Sequence, residues 1–326
     1  MSKLRDGIAK NNFIIVGRAV IDFFTVPGIS LEDAERMTVD LGGSSANIGA
    51  GICKLGGKAA LVTRVSDDSI GSYCTRRLQH YGVDTTYVKT VGGEFRNSLA
   101  VYESVLETHR NVIYRNGAAD FEMSEDDVSA VDYTRYGALI TAGTVFAADP
   151  SRTATFKSFE LAKAAGLPII FDVDYRPYSW PSPQVASNVL SRAAAECDMI
   201  VGNDEEFGFM AGDYDKGLEK ARSLSEDTVE VVVYKMGGDG AITFHKGEEI
   251  RTGIYPVDAL KPVGAGDSFM AGLMTSLAAG HDLETAILRG SACASVTVSR
   301  PGCAPALPDT ATLEQFLADH PGPTTP

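Results

Sequence analysis

Short, unbroken apolar runs punctuate this chain, and most of them end in glycine or polar residues. Phe13-Ile14-Ile15-Val16-Gly17, Ala138 to Ala142, Pro168 to Asp172, Met199-Ile200-Val201-Gly202 and Val231-Val232-Val233-Tyr234-Lys235 are the clearest. A strand that leaves one face in water alternates polar and apolar residues. Runs like these do not alternate, so both of their faces must be covered. Amphipathic segments near Ser69 to Tyr81 and Thr153 to Ala165 supply helices for that cover. The βα rhythm predicts an α/β fold with a mostly parallel sheet, in which ligands meet residues just beyond the carboxyl ends of strands.

Composition narrows the class. With 326 residues, 44% of them hydrophobic and 22% charged, the chain suits one large α/β domain plus a small appendage. A formal charge of −14 argues against nucleic acid or an anionic membrane as partner, because both reward a basic face. Any phosphate site must be local. The cysteines (Cys53, Cys74, Cys197, Cys293, Cys303) are odd in number, scattered and without a C-x-x-C pair, which reads as reduced thiols of a cytoplasmic protein. The first apolar run is too short for a signal segment, and no run approaches membrane length. The Pro- and Thr-rich tail, 321–326, is expected to be disordered.

The strongest chemical signal is Val263-Gly264-Ala265-Gly266-Asp267-Ser268-Phe269, set before the apolar pattern Phe269, Leu273, Met274, Leu277 of a helix. Glycines let backbone N–H groups converge, and a helix start adds partial positive charge, so Gly264, Ala265 and Gly266 form an anion site. An acid there repels the anion. Asp267 therefore reads as a base taking a proton from a hydroxyl that attacks a phosphoryl group, or else as an ordinary helix cap. Other strings give candidates with equally open alternatives. Arg18 and Asp22 follow the first strand and suit an anion and hydroxyls, although Asp22 also fits a loop cap. Gly42-Gly43-Ser44-Ser45-Ala46-Asn47 opens a helix, with Gly43 permitting close approach and Asn47 offering an amide to a polyol, or simply packs tightly. Asp172-Val173-Asp174-Tyr175-Arg176 ends a buried strand with two acids and an arginine, for a ligand or for an internal ion pair. Asn203 and Glu206 share a helix face as a metal-water or phosphate pair, or form a capping box. Gly237-Gly238-Asp239-Gly240 follows Lys235 and suits either a nucleotide or a plain hairpin turn.

Asn97 to Asn116 breaks the rhythm. Ser98 to Tyr102 and Asn111 to Arg115 flank a polar Glu107-Thr108-His109-Arg110 tip, a hairpin pattern that places Arg115 at its inner end. With Met37 to Leu41 it would make a small sheet serving as a lid, through which two copies could pair.

No G-x-x-x-x-G-K-[ST] and no G-x-G-x-x-G string is present. The order of motifs over nearly the whole chain resembles the ribokinase/PfkB family of carbohydrate kinases. The resemblance implies a ribokinase-like three-layer α/β/α sandwich with a mostly parallel central sheet and a small β-sheet lid. The kinase domain would span 1–320, with lid segments at about 31–41 and 95–117. It implies ATP and Mg²⁺ as cofactors and a sugar or sugar acid as substrate. Asp267 would be the catalytic base, and Gly264 to Gly266 the anion hole. Asn203, Lys235, Gly237 and Gly240 would bind nucleotide, and Glu206 would reach the metal through water. Arg18, Asp22, Gly43, Asn47, Arg115, Asp174 and Arg176 would face the substrate. Within the family, Gly17-Arg18-Ala19-x-Ile21-Asp22, Tyr114-Arg115-x-x-x-Ala119-Asp120 and Asp174-Tyr175-Arg176-Pro177-Tyr178-Ser179-Trp180 look most like kinases of keto-deoxy sugar acids. Where many relatives carry Asp-Thr-Thr near a monovalent cation, this chain has Leu260-Lys261-Pro262-Val263, which sets potassium activation in question. The competing functions are a fructokinase or 2-keto-3-deoxygluconate kinase, a non-catalytic sugar and nucleotide sensor, and a nicotinamide-dependent dehydrogenase.

Overall fold

The computed structural model describes residues 2–103, 110–320 and 322–324. Its strands, in chain order, are β1 (Asn12–Val16), β2 (Val20–Thr25), β3 (Met37–Gly42), β4 (Lys58–Ser66), β5 (Val88–Val91), β6 (Leu99–Tyr102) and β7 (Asn111–Tyr114). They continue with β8 (Ala138–Ala142), β9 (Ile169–Asp172), β10 (Met199–Asn203), β11 (Val231–Lys235), β12 (Ala241–His245) and β13 (Glu248–Thr252).

Nine of them form one sheet in the order β13-β12-β11-β10-β9-β8-β1-β4-β5. Pairing is parallel from β11 through β5 and antiparallel at the β11-β12-β13 edge. The unbroken apolar runs lie in the middle of this sheet, and successive side chains go to opposite layers. Phe13 and Ile15 join the core that holds the helices Ser44–Lys54 and Ala265–Ala278, whereas Ile14 and Val16 join the core of Ser151–Ala164 and Pro183–Ala195. In β11, Val231 and Val233 go one way and Val232 and Tyr234 the other. Each fully buried Val, Ile or Phe contributes about 1.5–3 kcal/mol, so the doubly covered sheet is the main source of stability. Sheet order reverses at β1, with β4 on one side and β8 on the other, and a crevice opens there.

The remaining strands form a second sheet, β3-β2-β6-β7. The hairpin of β6 and β7 and the strand near Met37 agree with the sequence reading; the Glu107-Thr108-His109 part of its tip lies outside the described residues. β2 does not follow that reading. Asp22 sits inside a strand of the small sheet rather than in a loop beyond β1, because Val20, Asp22 and Phe24 alternate with Ile21, Phe23 and Thr25 along a ribbon that pairs with Met37–Gly42. Residues 31–36 of the expected lid segment carry no strand. In the tail, Thr324 N–H donates to Ile254 O at 2.7 Å, and Ile254 N–H donates to Thr324 Oγ1 at 3.0 Å.

Candidate active site

A cleft of about 660 Å³ lies where β1, β9, β10 and β11 end and the small sheet leans over them. Arg18, Asp22, Gly43, Asn47, Asp174, Arg176, Asn203, Glu206, Lys235, Gly237, Gly240 and the whole turn from Gly264 to Asp267 line it.

Asp267 stands in the first turn of Ala265–Ala278. Gly264 holds the cap position with φ +85°, a conformation a side chain would resist, and makes no side-chain cap bond. Asp267 is thus not the cap: its Oδ2 accepts from Asn47 Nδ2 at 2.9 Å. Helix packing makes this contact. A Cβ on Gly51 would lie 2.6 Å from Ala271 Cβ, so the two helices cross at that glycine. Four residues earlier in each helix, one turn back on the same faces, Asn47 meets Asp267. Burial pushes the Asp267 carboxyl up to about 6 and the charge of Asp174 adds to the rise, while the Asn47 hydrogen bond, Arg176 and Lys235 oppose it. Such a group is an anion at neutral pH yet accepts a proton readily.

Asp174 is more deeply buried and behaves oppositely. Its backbone holds φ +33°, unusual for a residue with a side chain. Its carboxylate accepts from Ser44 Oγ at 2.6 Å and Thr144 Oγ1 at 3.2 Å and pairs with Arg176 at 2.8 Å. Burial would raise it, but Arg176, Arg18 and the two hydroxyls together hold it below the usual carboxylate range. Of the alternatives left open for the Asp172–Arg176 string, the internal ion pair is present, and its residues line the cleft.

The Asn203–Glu206 pair is a capping box: Glu206 N–H donates to Asn203 Oδ1 and Asn203 N–H donates to Glu206 Oε2, each at 2.8 Å. That leaves Glu206 Oε1, 4.0 Å from an Arg176 nitrogen. Burial raises the Glu206 carboxyl, with Lys235 and Arg176 working against it. Gly237 to Gly240 likewise is the turn between antiparallel β11 and β12, with Met236 N–H donating to Gly240 O at 2.8 Å, and also lines the cleft. Lys235 ends β11 opposite Asn203. Its ammonium lies over the glycine turn, 3.3 Å from where a Cβ on Gly266 would sit.

On the opposite wall, burial pushes Asp22 up to about 7 despite Arg18, with Asp267 and Asp40 reinforcing the rise. Asp22 Oδ1, Arg18 Nε and Asn47 Oδ1 are buried without a hydrogen-bond partner among the described residues. All three residues line the cleft, so these atoms are arranged for a ligand bearing hydroxyls and an anionic group.

Arg115 is the exception among the expected residues. It does not line the cleft; its guanidinium is spent on Asp120 and on Thr144 O at 2.9 Å, and stacks 4.0 Å from the Phe121 ring. An inner hairpin end fits an inward-pointing arginine, but an acid five residues on neutralises it. Sequence reasoning passed over others. Asp172 lines the cleft and is raised well above the usual range by burial, with Lys235 opposing and Glu206 adding to the rise; the sequence reading of its string singles out Asp174 and Arg176 instead. Ser44 had the glycine pair before it as a signal. Thr144 had none.

The described residues contain no helix long and apolar enough to cross a membrane. Architecture and cleft together define a ribokinase-like α/β protein, and comparison with known proteins gives the same class. A fructokinase with bound ATP from Xylella fastidiosa superposes with a TM-score of 0.84 at 18% identity, covering 95% of this chain and 99% of that one. A fructokinase double mutant from Vibrio cholerae O395, solved with fructose, ADP and potassium ion, superposes at 0.82 with 24% identity, covering 94% and 98%. In sequence, the 5-dehydro-2-deoxygluconokinase of Geobacillus kaustophilus (strain HTA426) is 35% identical over 315 residues, 95% of this chain and 94% of that protein. Residues 10–310 match the pfkB family carbohydrate kinases, and the chain belongs to that family. It is an ATP-dependent carbohydrate kinase.

Proposed function

We propose that the enzyme phosphorylates the terminal hydroxyl of a keto-deoxy sugar acid, 5-dehydro-2-deoxy-D-gluconate, in the breakdown of inositol. The observation that carries this reading is the Asp267 carboxylate, poised near 6 beside the glycine turn and inside a cleft with orphaned acid- and hydroxyl-seeking atoms. Similarity to the 5-dehydro-2-deoxygluconokinases supports this choice of acceptor.

In this mechanism the sugar's hydroxyls meet Asp22 and Asn47 above Gly43, and its carboxylate meets Arg18 and Arg176. Arg18 is preferred because its Nε is free of protein partners among the described residues, whereas Arg176 is shared with Asp174. Asp267 takes the proton of the terminal hydroxyl as that oxygen bonds to the terminal phosphorus of ATP and the bond to ADP breaks. The Gly264, Ala265 and Gly266 amides, with Lys235, receive the charge on the transferred oxygens. ATP lies along Asn203, Gly237 and Gly240. Glu206 Oε1 would hold Mg²⁺ through water, and the ion would supply positive charge to the phosphates; the described residues contain no cluster of acids, His or Cys that would cage a metal without the nucleotide.

The small sheet is the lid. Its inner face presents Asp22, Tyr102 and Ile113 to the cleft, while Met37, Val39, Val112 and Tyr114 leave an exposed apolar outer face through which two copies pair. The test is a panel of acceptors with ATP, read as ADP release. The keto-deoxy acid should give the highest kcat/KM; preference for fructose or 2-keto-3-deoxygluconate would replace the assignment, and no ADP with any acceptor would leave only a binding protein.

A further inference from the structure

The turn that brings Gly264 into the cleft is held from behind by a buried cation. Lys261 is only 4% exposed, and its ammonium donates to two main-chain carbonyls, Val263 O at 2.7 Å and Thr297 O at 3.3 Å. Thr297 belongs to the last turn of the helix Leu283–Val298, where carbonyls lack intrahelical donors and carry the negative end of the dipole. Leu260 and Lys261 N–H both donate to Val298 O, at 2.8 and 3.3 Å, so residues 260–263 wrap onto that helix end. An ammonium out of water costs several kcal/mol unless it is well ligated. Burial lowers Lys261, and the surrounding Cys303, Asp267, Asp40 and Asp22 sustain its charge. Carbonyl oxygens around a single positive charge are the chemistry of a monovalent-cation site. Here the charge arrives on a side chain.

The position matters because Val263 C=O and Gly264 N–H share one trans peptide and point in opposite directions. With the carbonyl drawn behind the loop, the Gly264 amide faces the cleft that Val263 and Gly264 line. We propose that Lys261 is a positioning residue whose ammonium is a built-in monovalent cation, ligating Val263 and Thr297 and setting the Gly264 turn for phosphate, so that the enzyme needs no potassium. This rests on the kinase reading for its activity readout, but not for its binding readout.

The experiment compares the full-length wild type, Lys261→Ala and Lys261→Met in choline, potassium and ammonium chloride at equal ionic strength, reading both kcat from ADP release and Tm. Wild-type kcat and Tm should be the same in choline and potassium. Lys261→Ala should lose about 10²-fold in kcat in choline, with little change in KM for the sugar, because the anion hole is misplaced rather than the acceptor site. Potassium or ammonium should restore much of that loss and raise its Tm, since an ion that binds only the folded state stabilises it. Lys261→Met, which fills the space with an uncharged chain, should stay low in every salt. Several-fold activation of the wild type by potassium overturns the proposal, as does full kcat of either variant in choline. So does a Lys261→Ala protein that folds but gains neither kcat nor Tm from any cation. If neither variant folds, the wild-type response to potassium decides. A wild type that releases no ADP defeats the kinase reading instead, and the salt dependence of the Lys261→Ala Tm still tests this one.

Discussion

Two carboxylates share the cleft and are pushed in opposite directions. Asp174 is ringed by a guanidinium and two hydroxyls and is held below the usual range; Asp267 has one amide and is raised to about 6. Asp174 is the more deeply buried of the two, which by itself would raise it further, so the partners make the difference. A carboxylate with its lone pairs taken by strong donors is a fixed anion that shapes a site, whereas one with a single neutral donor can gain and lose a proton during turnover.

The sharpest way to break this contrast is Asp267→Asn, which keeps the shape and the Asn47 neighbour but removes the base. We expect kcat to fall about 10²–10⁴-fold, about 3–5 kcal/mol of barrier, with Tm nearly unchanged; near-normal ADP release would end the assignment. Next comes Arg176→Met, which leaves Asp174 buried without its cation. The Arg176 side chain is 42% exposed, so the loss should be about 1–3 kcal/mol rather than the roughly 3–5 of a fully buried pair, measured by urea unfolding.

The pH profile sharpens the comparison further. Wild-type kcat should fall as pH drops through about 6, because Asp267 then carries the proton it must accept. Asp174→Asn removes a charge that raises Asp267 and should move this acid limb to lower pH. Asn47→Ala removes a bond that lowers Asp267 and should move it higher. Limbs shifting together, or not at all, would mean the two carboxylates are not coupled as described. The smallest effect concerns stability. Asp22 has a folded value of about 7 against an ordinary 3.8, so whatever stability its protonation contributes is complete below 3.8 and is lost as pH rises through 7. Asp22→Asn should therefore gain in Tm over the wild type at pH 8, and the gap should shrink towards pH 5.

Much of this architecture was legible in the chain. Unbroken apolar runs announced a sheet covered on both faces, and the Gly-Ala-Gly-Asp string before a helix marked a turn that lines the cleft. Local signals failed where two roles share one string. Asn203 and Glu206 form a cap and also line the cleft, and Gly237 to Gly240 does the same as a hairpin turn. β2 is not legible because its apolar residues follow β1 after only three residues and show no polar–apolar alternation, and only pairing with β3 and β6 reveals a second sheet. Arg115 was misplaced because nothing in a sequence tells an arginine aimed at a ligand from one satisfied by Asp120.

Residue order alone determined most of the strands and helices, where the backbone can turn sharply, and which side chains have chemistry to offer. These depend on periodicity and on glycine, over distances of a few residues. Only the tertiary structure decided that Asn47 meets Asp267 across 220 residues, that Asp174 stays charged beside a neighbour that titrates, and that Lys261 lies behind the phosphate turn. Those outcomes depend on helix crossings and on the removal of water from charges, and neither exists until the layers have packed.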